Sequence, residues 1–440
     1  MTKRLYYLLI VLLFALLPFH ALVTNYVQFG LGFHFPINAW KEGIIIILTI
    51  LAAFDIWKTK RTIEPDWLDG VIIIFFILGI LSAIFQTRQI GRILFGFKYD
   101  FEFLWLFLIV RHGIRFAQED IQKIVRVVLG SGIIVVLFGI LQIFFLPKDV
   151  MIHFGYSPHI STWVPGGPLP MYHAIDNNAL LPRVSSTLSG PNQFASYLLI
   201  LLPLSIQWIV NKKSVNRWLW IMFTVFIAMN LFFTYSRSAY IACVLSLLVG
   251  ILLYINNKRV VRNLLLWMIG IGIIGVVLIM MIKPAIISDI IVRTSSTQGH
   301  YERTWDGIVY SLKNPLGYGI GNAGPASSRF NADNIGWIPE NWYLQIALEL
   351  GFFGLILYVM ILIGTMQKLF LQFSKNNNLL SLSLLLTLLA IAITSLFLHS
   401  WEETAVALTF WGITGITLQK KNLKKTKKLG SMPTTTSSRL

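Results

Sequence analysis

The chain of 440 residues is 56% hydrophobic and 12% charged, and its single cysteine is Cys243. Soluble domains carry about 25% charged residues, and a soluble globule could not bury this much apolar surface, so lipid must solvate most of the chain. A cytosolic enzyme is thereby excluded. So is a disulfide scaffold, because Cys243 has no second cysteine to pair with. The net charge of +17 would fit a nucleic-acid partner, but the positions of the basic residues along the chain must be known before it can be interpreted.

Twelve apolar runs are long enough to be predicted as transmembrane helices. In chain order they cover residues 5–23, 43–57, 70–86, 94–110, 124–146, 194–210, 218–235, 238–256, 263–282, 343–365, 379–397 and 402–418. The sequence therefore predicts an all-α polytopic membrane protein with about twelve spans in a single domain, residues 1–418. Residues 419–440 are basic and then rich in Ser and Thr, which predicts a disordered cytoplasmic tail.

The basic residues predict the orientation of these helices, because short cytoplasmic loops of membrane proteins are enriched in Lys and Arg. With the amino terminus on the cytoplasmic side, 24 of the 36 Lys and Arg residues fall in cytoplasmic loops and tails. A twelve-helix bundle with both termini cytoplasmic is therefore self-consistent. The positive charge then reports topology, and nucleic acid is not an expected partner.

Two segments on the opposite side, about residues 147–193 and 283–341, are too long to be simple turns, and long loops are usually functional or disordered. Their mixture of Trp, Tyr, His, Arg, Gly and Pro predicts a folded cap over the bundle. The aromatic side chains suit stacking against sugar rings, although an interfacial aromatic belt would have the same composition.

The first long loop contains Arg183 and ends at Pro191 and Asn192, which mark the start of a helix. Such a start either binds an anion at its N–H groups or simply begins a helix. Arg237 lies in a Ser-Arg-Ser sequence between two apolar helices. An arginine between two membrane-spanning helices either extends its side chain to the membrane interface or pairs with another group. Alternatively, it faces a cavity as a fixed cation.

The second long loop carries His300, Arg303 and Trp305, and residues 302–313 are predicted to form a short helix on the membrane surface. A Gly-x-Gly-x-Gly run follows at 317–321 and is expected to bring the backbone close to a partner. No strand precedes this run, so it is not a dinucleotide-binding motif.

Glu340 opens the sequence Glu-Asn-Trp-Tyr-Leu-Gln at the start of the tenth predicted span. Its carboxylate is either a helix N-cap or a functional group. The loop holds neither an Asp-x-Asp pair nor a His-Glu-x-x-His motif, so the sequence predicts no metal site and no cofactor.

These features occur in a characteristic order: an arginine before a Pro-Asn helix start, Ser-Arg-Ser at a hairpin, then Gly-His, Asn-Pro-Leu-Gly, Gly-x-Gly, Glu-Asn-Trp-Tyr-Leu-Gln and Glu-Leu-Gly-x-x-Gly. Over residues 183–365 the chain thus resembles the O-antigen ligase and O-antigen polymerase superfamily of bacterial surface polysaccharide enzymes. The resemblance implies a GT-C-type glycosyltransferase bundle in the bacterial cytoplasmic membrane, with an extracytoplasmic active site.

The same resemblance implies a polyprenyl-diphosphate-linked saccharide donor and a glycan or lipid acceptor. Membrane lipid and other polysaccharide-assembly membrane proteins are further expected partners. Ligases of this type typically show His-Asn where this chain has Glu340 and Asn341. That difference favours a polymerase, which joins lipid-linked repeat units, over a ligase as the alternative.

Breaking the bond between a sugar and a diphosphate places negative charge on the leaving group, and fixed arginines stabilise such charge well. Either His300 or Glu340 could accept the proton of the attacking hydroxyl. The predicted catalytic residues are therefore Glu340, His300 and Arg237. The predicted diphosphate- or glycan-binding residues are Arg183, Arg303, Asn192, Asn341, Tyr343 and Trp305.

A transporter or flippase would also be polytopic and basic. Such proteins often show repeats between their halves and broken helices near the bilayer midplane, whereas here the unusual residues cluster in the long loops and the halves do not match. A sensor or structural membrane protein would leave both loops unexplained. A metal-independent glycosyltransferase is therefore the favoured function.

Overall fold

The computed structural model describes residues 2–33, 37–161, 164, 166–175, 178–211, 216–255, 294–327, 330 and 338–420. Its helices are α1 Thr2–Leu16, α2 His20–Asn25, α3 Trp40–Thr59, α4 Trp67–Phe85, α5 Ile90–Gly96, α6 Glu102–His112, α7 Gln118–Phe144, α8 Pro191–Val210, α9 Arg217–Phe233, α10 Arg237–Tyr254, α11 Thr294–Lys313, α12 Gly324–Ser327, α13 Trp342–Asn376, α14 Leu379–Thr394 and α15 Thr404–Thr417. Its strands are β1 Ser157–Ile160, β2 Pro170–Ile175 and β3 Asn178–Arg183.

Among the described residues, six helical stretches are long and apolar enough to cross a membrane, and they confirm that the chain is a mostly helical protein with several candidate spans. They are Thr2–Gly30, Trp67–Phe85, Gln118–Phe144, Pro191–Val210, Arg237–Tyr254 and Trp342–Asn376. The apolar helices α9, α14 and α15 are shorter. The predicted count of twelve is not confirmed by these described helices, and the predicted ninth span, 263–282, lies outside the described residues, as does most of the tail.

Two predicted spans differ from regular helices. The fourth, 94–110, consists of α5 and α6 joined by a π-helical turn at Phe97–Phe101. This turn contains the charged residues Lys98 and Asp100. In α13 the backbone breaks at Gly351, whose φ of 71° and ψ of −176° are not helical. The helix therefore has two parts, on either side of this glycine.

The chain is mostly helical, as the all-α prediction requires, but in the first long loop three strands form a small sheet in the order β1-β2-β3 that this prediction did not include. β1 pairs parallel to β2, and β2 pairs antiparallel to β3. Proline normally argues against a strand because it lacks an N–H donor. Here Pro158 and Pro182 lie in the two edge strands and Pro170 is the first residue of β2, positions at which proline is tolerated.

The glycine run at 317–321 packs against the break in α13. The N–H of Tyr318 donates to the Leu348 carbonyl at 2.6 Å, and the N–H of Phe352 donates to the Pro315 carbonyl at 3.0 Å. These bonds satisfy backbone groups that the break leaves without helical partners. The partner predicted for the glycine run is therefore a helix of this chain, and the run has a structural role.

Replacing Gly317 by alanine is expected to destabilise the protein. Gly317 has a φ of 86°, and a Cβ atom there would lie 2.6 Å from the Glu349 carbonyl oxygen and the Gly351 nitrogen. The left-handed backbone alone costs about 1–2 kcal/mol for an alanine. We expect a clearly lower midpoint of thermal unfolding in detergent. The matched control is Gly130→Ala in α7, where a Cβ has open space and where alanine favours the helix. Equal midpoints for the two variants would contradict this role of Gly317.

A buried aromatic cluster holds together the loops at one end of the bundle. Phe103 of α6 stacks on Trp401 at 5.9 Å and on Trp411 at 5.7 Å between ring centroids, and it also contacts Trp342 at the start of α13. All four side chains are buried. Because Trp342 and Trp401 follow Glu340 and His399 closely in sequence, the cluster fixes the segments that carry these two polar residues.

Candidate functional site

His300, Arg303 and Glu340 form one cluster at the end of the bundle where α11 meets the start of α13. The Glu340 carboxylate accepts a hydrogen bond from the Arg303 guanidinium through one oxygen and contacts His300 Nδ1 through the other. The side chains of His300 and Glu340 are partly buried, at 35% and 21% exposed, and that of Arg303 is 53% exposed. The three residues were predicted separately, and the structure brings them together.

The cluster follows from the periodicity of α11 and from one glycine. His300, Arg303 and Gly307 lie three and four residues apart, which places them on one face of the helix. A Cβ at Gly307 would lie 2.9 Å from the Cβ of Pro339, so the glycine allows this face to lie close to the turn that carries Glu340. Glu340 itself has a φ of 48°, a conformation that costs energy and is often found at functional sites.

A second group of contacts joins the sheet, the start of α8 and the hairpin between α9 and α10. Arg183, the last residue of β3, donates from Nε to the Thr234 carbonyl at 2.8 Å and from Nη2 to Asn192 Oδ1 at 2.7 Å. The N–H of Val184 donates to the Phe233 carbonyl at 3.1 Å. The next helix begins at Arg237. The structure thus places Arg183 beside Asn192 and against the hairpin that carries Arg237.

Electrostatics connects the two groups. Burial lowers the pKa of His300 below its ordinary value, and the nearby charges of Arg303, Arg237 and Arg183 lower it further. An imidazole with a lowered pKa is neutral at neutral pH and can accept a proton. His300 therefore lies within the field of three arginines while its Nδ1 faces a carboxylate.

Two other predicted residues, Asn341 and Tyr343, have contacts of a structural kind, and a third, Trp305, is exposed. Asn341 is the N-cap of α13: its Oδ1 accepts from the N–H groups of Tyr343 and Leu344, and its Nδ2 donates to the Leu396 carbonyl at 2.9 Å. Glu340 is therefore not the N-cap. The hydroxyl of Tyr343 donates to the Ala392 carbonyl at 2.8 Å. Trp305 is 55% exposed and lies two residues after Arg303, on a different face of α11.

Sequence reasoning missed two histidines at this end of the bundle. His173 of β2 pairs in register with Arg183, and burial together with the Arg183 charge lowers its pKa to about 4. Burial lowers the pKa of His399 to about 3, with Arg303 and His300 adding to the shift. The Nε2 atom of His399 is buried without a hydrogen-bond partner among the described residues. Both side chains are therefore neutral groups next to the arginines.

Glu403 was also missed, because it was counted within the last predicted span. The structure begins α15 only at Thr404, so Glu403 lies at its N-cap position, where its carboxylate accepts a hydrogen bond from Ser189. Burial raises the pKa of Glu403. The signal in the sequence was the polar run from His399 to Glu403, which interrupts two apolar helices.

A cavity of about 240 Å³ lies beside Arg183. Its walls include Arg183 itself, Tyr172, Tyr235, Phe233 and Lys148. Aromatic rings together with cationic side chains suit the binding of a sugar that carries a phosphate. No group of three or more His, Cys, Asp or Glu side chains is arranged as a set of metal ligands within the described part of the chain.

A family model described as O-antigen ligase (Wzy_C) matches residues 197–359. The matched region runs from α8 into the second part of α13, and it includes Arg237, His300, Arg303 and Glu340. No curated protein matches the chain. The match confirms the resemblance deduced from the motifs: residues 197–359 are similar to the O-antigen ligase family, which supports the resemblance to the O-antigen ligase and polymerase superfamily.

Proposed function

We propose that the protein is a membrane glycosyltransferase that joins polyprenyl-diphosphate-linked oligosaccharide repeat units into a surface polysaccharide at the outer face of the cytoplasmic membrane. The observation that carries this proposal is the cluster of His300, Glu340 and Arg303 within electrostatic range of Arg237 and Arg183. It combines a neutral base with several fixed cations, the two groups that glycosyl transfer from a diphosphate requires.

In the proposed reaction the acceptor hydroxyl attacks the anomeric carbon of the donor sugar. A new carbon–oxygen bond forms as the bond to the diphosphate breaks, and the diphosphate leaves with the electron pair. His300 Nε2 takes the hydroxyl proton while Glu340 orients the ring through Nδ1 and stabilises the imidazolium. Arg237, Arg183 and Arg303 stabilise the negative charge that grows on the diphosphate, in a site partly shielded from water.

Reconstitution separates the candidate activities. Purified protein in liposomes with a lipid-linked repeat unit is expected to give a ladder of longer glycans on a gel. A single transfer to an added lipid acceptor, without a ladder, would instead indicate the ligase alternative. Movement of the intact substrate between leaflets without a new glycosidic bond would contradict both and indicate a flippase.

The proposed chemistry assigns to arginines the charge stabilisation that a divalent cation supplies in many other enzymes. We therefore expect added EDTA to leave the rate of glycan extension in the same liposomes unchanged. The control is a parallel reaction with added Mg²⁺ or Mn²⁺, which should show the same rate. A strict requirement for either ion would contradict metal independence, and the ladder assay would still report whether glycans are extended.

A further inference from the structure

A second polar pocket, of about 280 Å³, opens between the end of α4, α5 and the glycine run. It is lined by Gln86, Thr87, Arg88, Gln89, Arg92, Tyr318 and Asn322. None of these residues lines the cavity beside Arg183. The volume lies just below the roughly 300–1,000 Å³ typical of sites for drug-sized ligands, so it suits a small polar headgroup better than a glycan repeat unit.

The walls of this pocket are held by direct contacts. The Thr87 hydroxyl donates to the Ile320 carbonyl at 3.0 Å, and Arg92 donates to Asn322 Oδ1. Gly319, with a φ of 103°, allows its backbone to lie against Thr87, since a Cβ there would be 2.5 Å from the hydroxyl oxygen. The glycine run therefore also builds one wall of the pocket.

The lining of the pocket is basic. Among the described residues it contains two arginines and no acidic residue. Arg88 is exposed and makes no hydrogen bond or ion pair within the described parts of the chain. Guanidinium groups bind phosphate oxygens well through their planar fork of N–H donors, whereas the Thr87 hydroxyl and the side-chain amides of Gln86 and Asn322 donate to backbone carbonyls. The chemistry of the lining thus favours a phosphate or diphosphate.

Exposed apolar side chains adjoin the lining residues in the sequence. Phe85 is 79% exposed, Ile90 75%, Leu94 63% and Leu316 78%. A ligand with a phosphate headgroup and a hydrocarbon tail would contact both the basic lining and these apolar side chains.

We propose that this pocket binds the diphosphate of a second lipid-linked substrate. The inference rests on the proposed polymerase activity, in which the acceptor is itself attached to a polyprenyl diphosphate that stays intact while the donor diphosphate leaves. One diphosphate is held by Arg237, Arg183 and Arg303, and the other by Arg88 and Arg92. The pocket thereby anchors the acceptor lipid while its distal sugar reaches His300.

Native mass spectrometry of the full chain with undecaprenyl diphosphate tests this directly. We expect two bound molecules in the unmodified protein, and a loss of at least about tenfold in affinity at one site in Arg88→Gln, as expected for a lost charged hydrogen bond. Arg88→Gln removes no internal contact between described residues, so the fold should be kept. Arg92→Gln should act in the same direction, and Arg217→Gln, at an exposed arginine outside the pocket, should leave both sites unchanged.

Two further probes identify the source of the phosphate. Undecaprenol, which lacks phosphate, should not occupy the pocket, and inorganic diphosphate should compete only at far higher concentration than the lipid. Three results would each overturn the proposal. They are competition by inorganic diphosphate at the same concentration as the lipid, a single bound lipid in the unmodified protein, and unchanged binding in Arg88→Gln. Binding requires no turnover. Two lipids bound in an Arg88-dependent way without any glycan ladder would therefore refute the polymerase and leave the lipid-diphosphate pocket standing.

Discussion

Replacing His300 by alanine is expected to lower the rate of glycan transfer by about 10²–10⁴, the usual contribution of a positioned general base. The reason is that His300 is the neutral group within the arginine cluster whose Nδ1 faces a carboxylate. Donor binding should change little, because the arginines remain. The measurement is kcat and KM for the donor in the reconstituted ladder assay. His159→Ala, at an exposed histidine of β1, is the matched control and should keep full activity.

The pH profile follows from the lowered pKa of His300. A base acts in its unprotonated form, so activity is retained as pH falls through the ordinary histidine pKa of about 6.5. It is lost only at lower pH, as the pH falls through the lowered pKa. Loss of activity already above pH 6.5 would contradict a neutral His300 as the base.

Glu340→Gln distinguishes the two candidate bases. If Glu340 only orients His300, the variant keeps a measurable rate. The acid limb of its pH profile, which is the loss of activity at low pH, then moves to lower pH, because the imidazolium has lost its carboxylate partner. If Glu340 is the base, the variant should fall to the rate of His300→Ala or below and lose the acid limb. That second result would contradict the role assigned to His300.

Apolar periodicity predicted most helices of the bundle well, because burial in lipid or in the core leaves a long continuous signal. Predicted spans such as 124–146 and 238–256 lie close to α7 and α10. The break at Gly351 gave no such signal. It depends on hydrogen bonds from the glycine run more than thirty residues earlier, and single-segment patterns do not contain contacts of that range.

The sheet was missed because three prolines lie in its three short strands. The sequence does not show which strands are edges, and only that topology makes the prolines acceptable. For the site, the motifs identified Arg183, Arg237, His300, Arg303 and Glu340 one at a time. Their proximity depends on loop geometry, for example on Gly307 beside Pro339, which no spacing rule predicts.

Asn341 and His399 show that a motif does not by itself indicate what each side chain contacts. Asn341 belongs to a conspicuous motif, yet the structure uses all of its polar atoms to cap α13 and to hold the Leu396 carbonyl. His399 belongs to no motif, yet it lies near enough to Arg303 and His300 for their charges to lower its pKa. Motif membership therefore predicts the region of the candidate site but not the contacts of each side chain within it.

Arg237→Ala is expected to reduce kcat by about 10²–10³, as for the loss of one preorganised donor to a transition-state charge, with a smaller change in KM for the donor. A second effect is independent of the rate. The charge of Arg237 lowers the pKa of His300, so its removal should move the acid limb of the pH profile to higher pH.

Arg237→Lys separates these two effects. Lysine keeps the positive charge, so the acid limb should return toward its original position, but it lacks the planar fork that binds two phosphate oxygens, so much of the loss in kcat should remain. Arg217→Ala, at an exposed arginine of α9, controls for the loss of one positive charge anywhere on the protein. A near-normal ladder in Arg237→Ala would remove Arg237 from the site. If the rate fell but the acid limb did not move, Arg237 would act on the diphosphate alone and would lie outside the electrostatic range of His300.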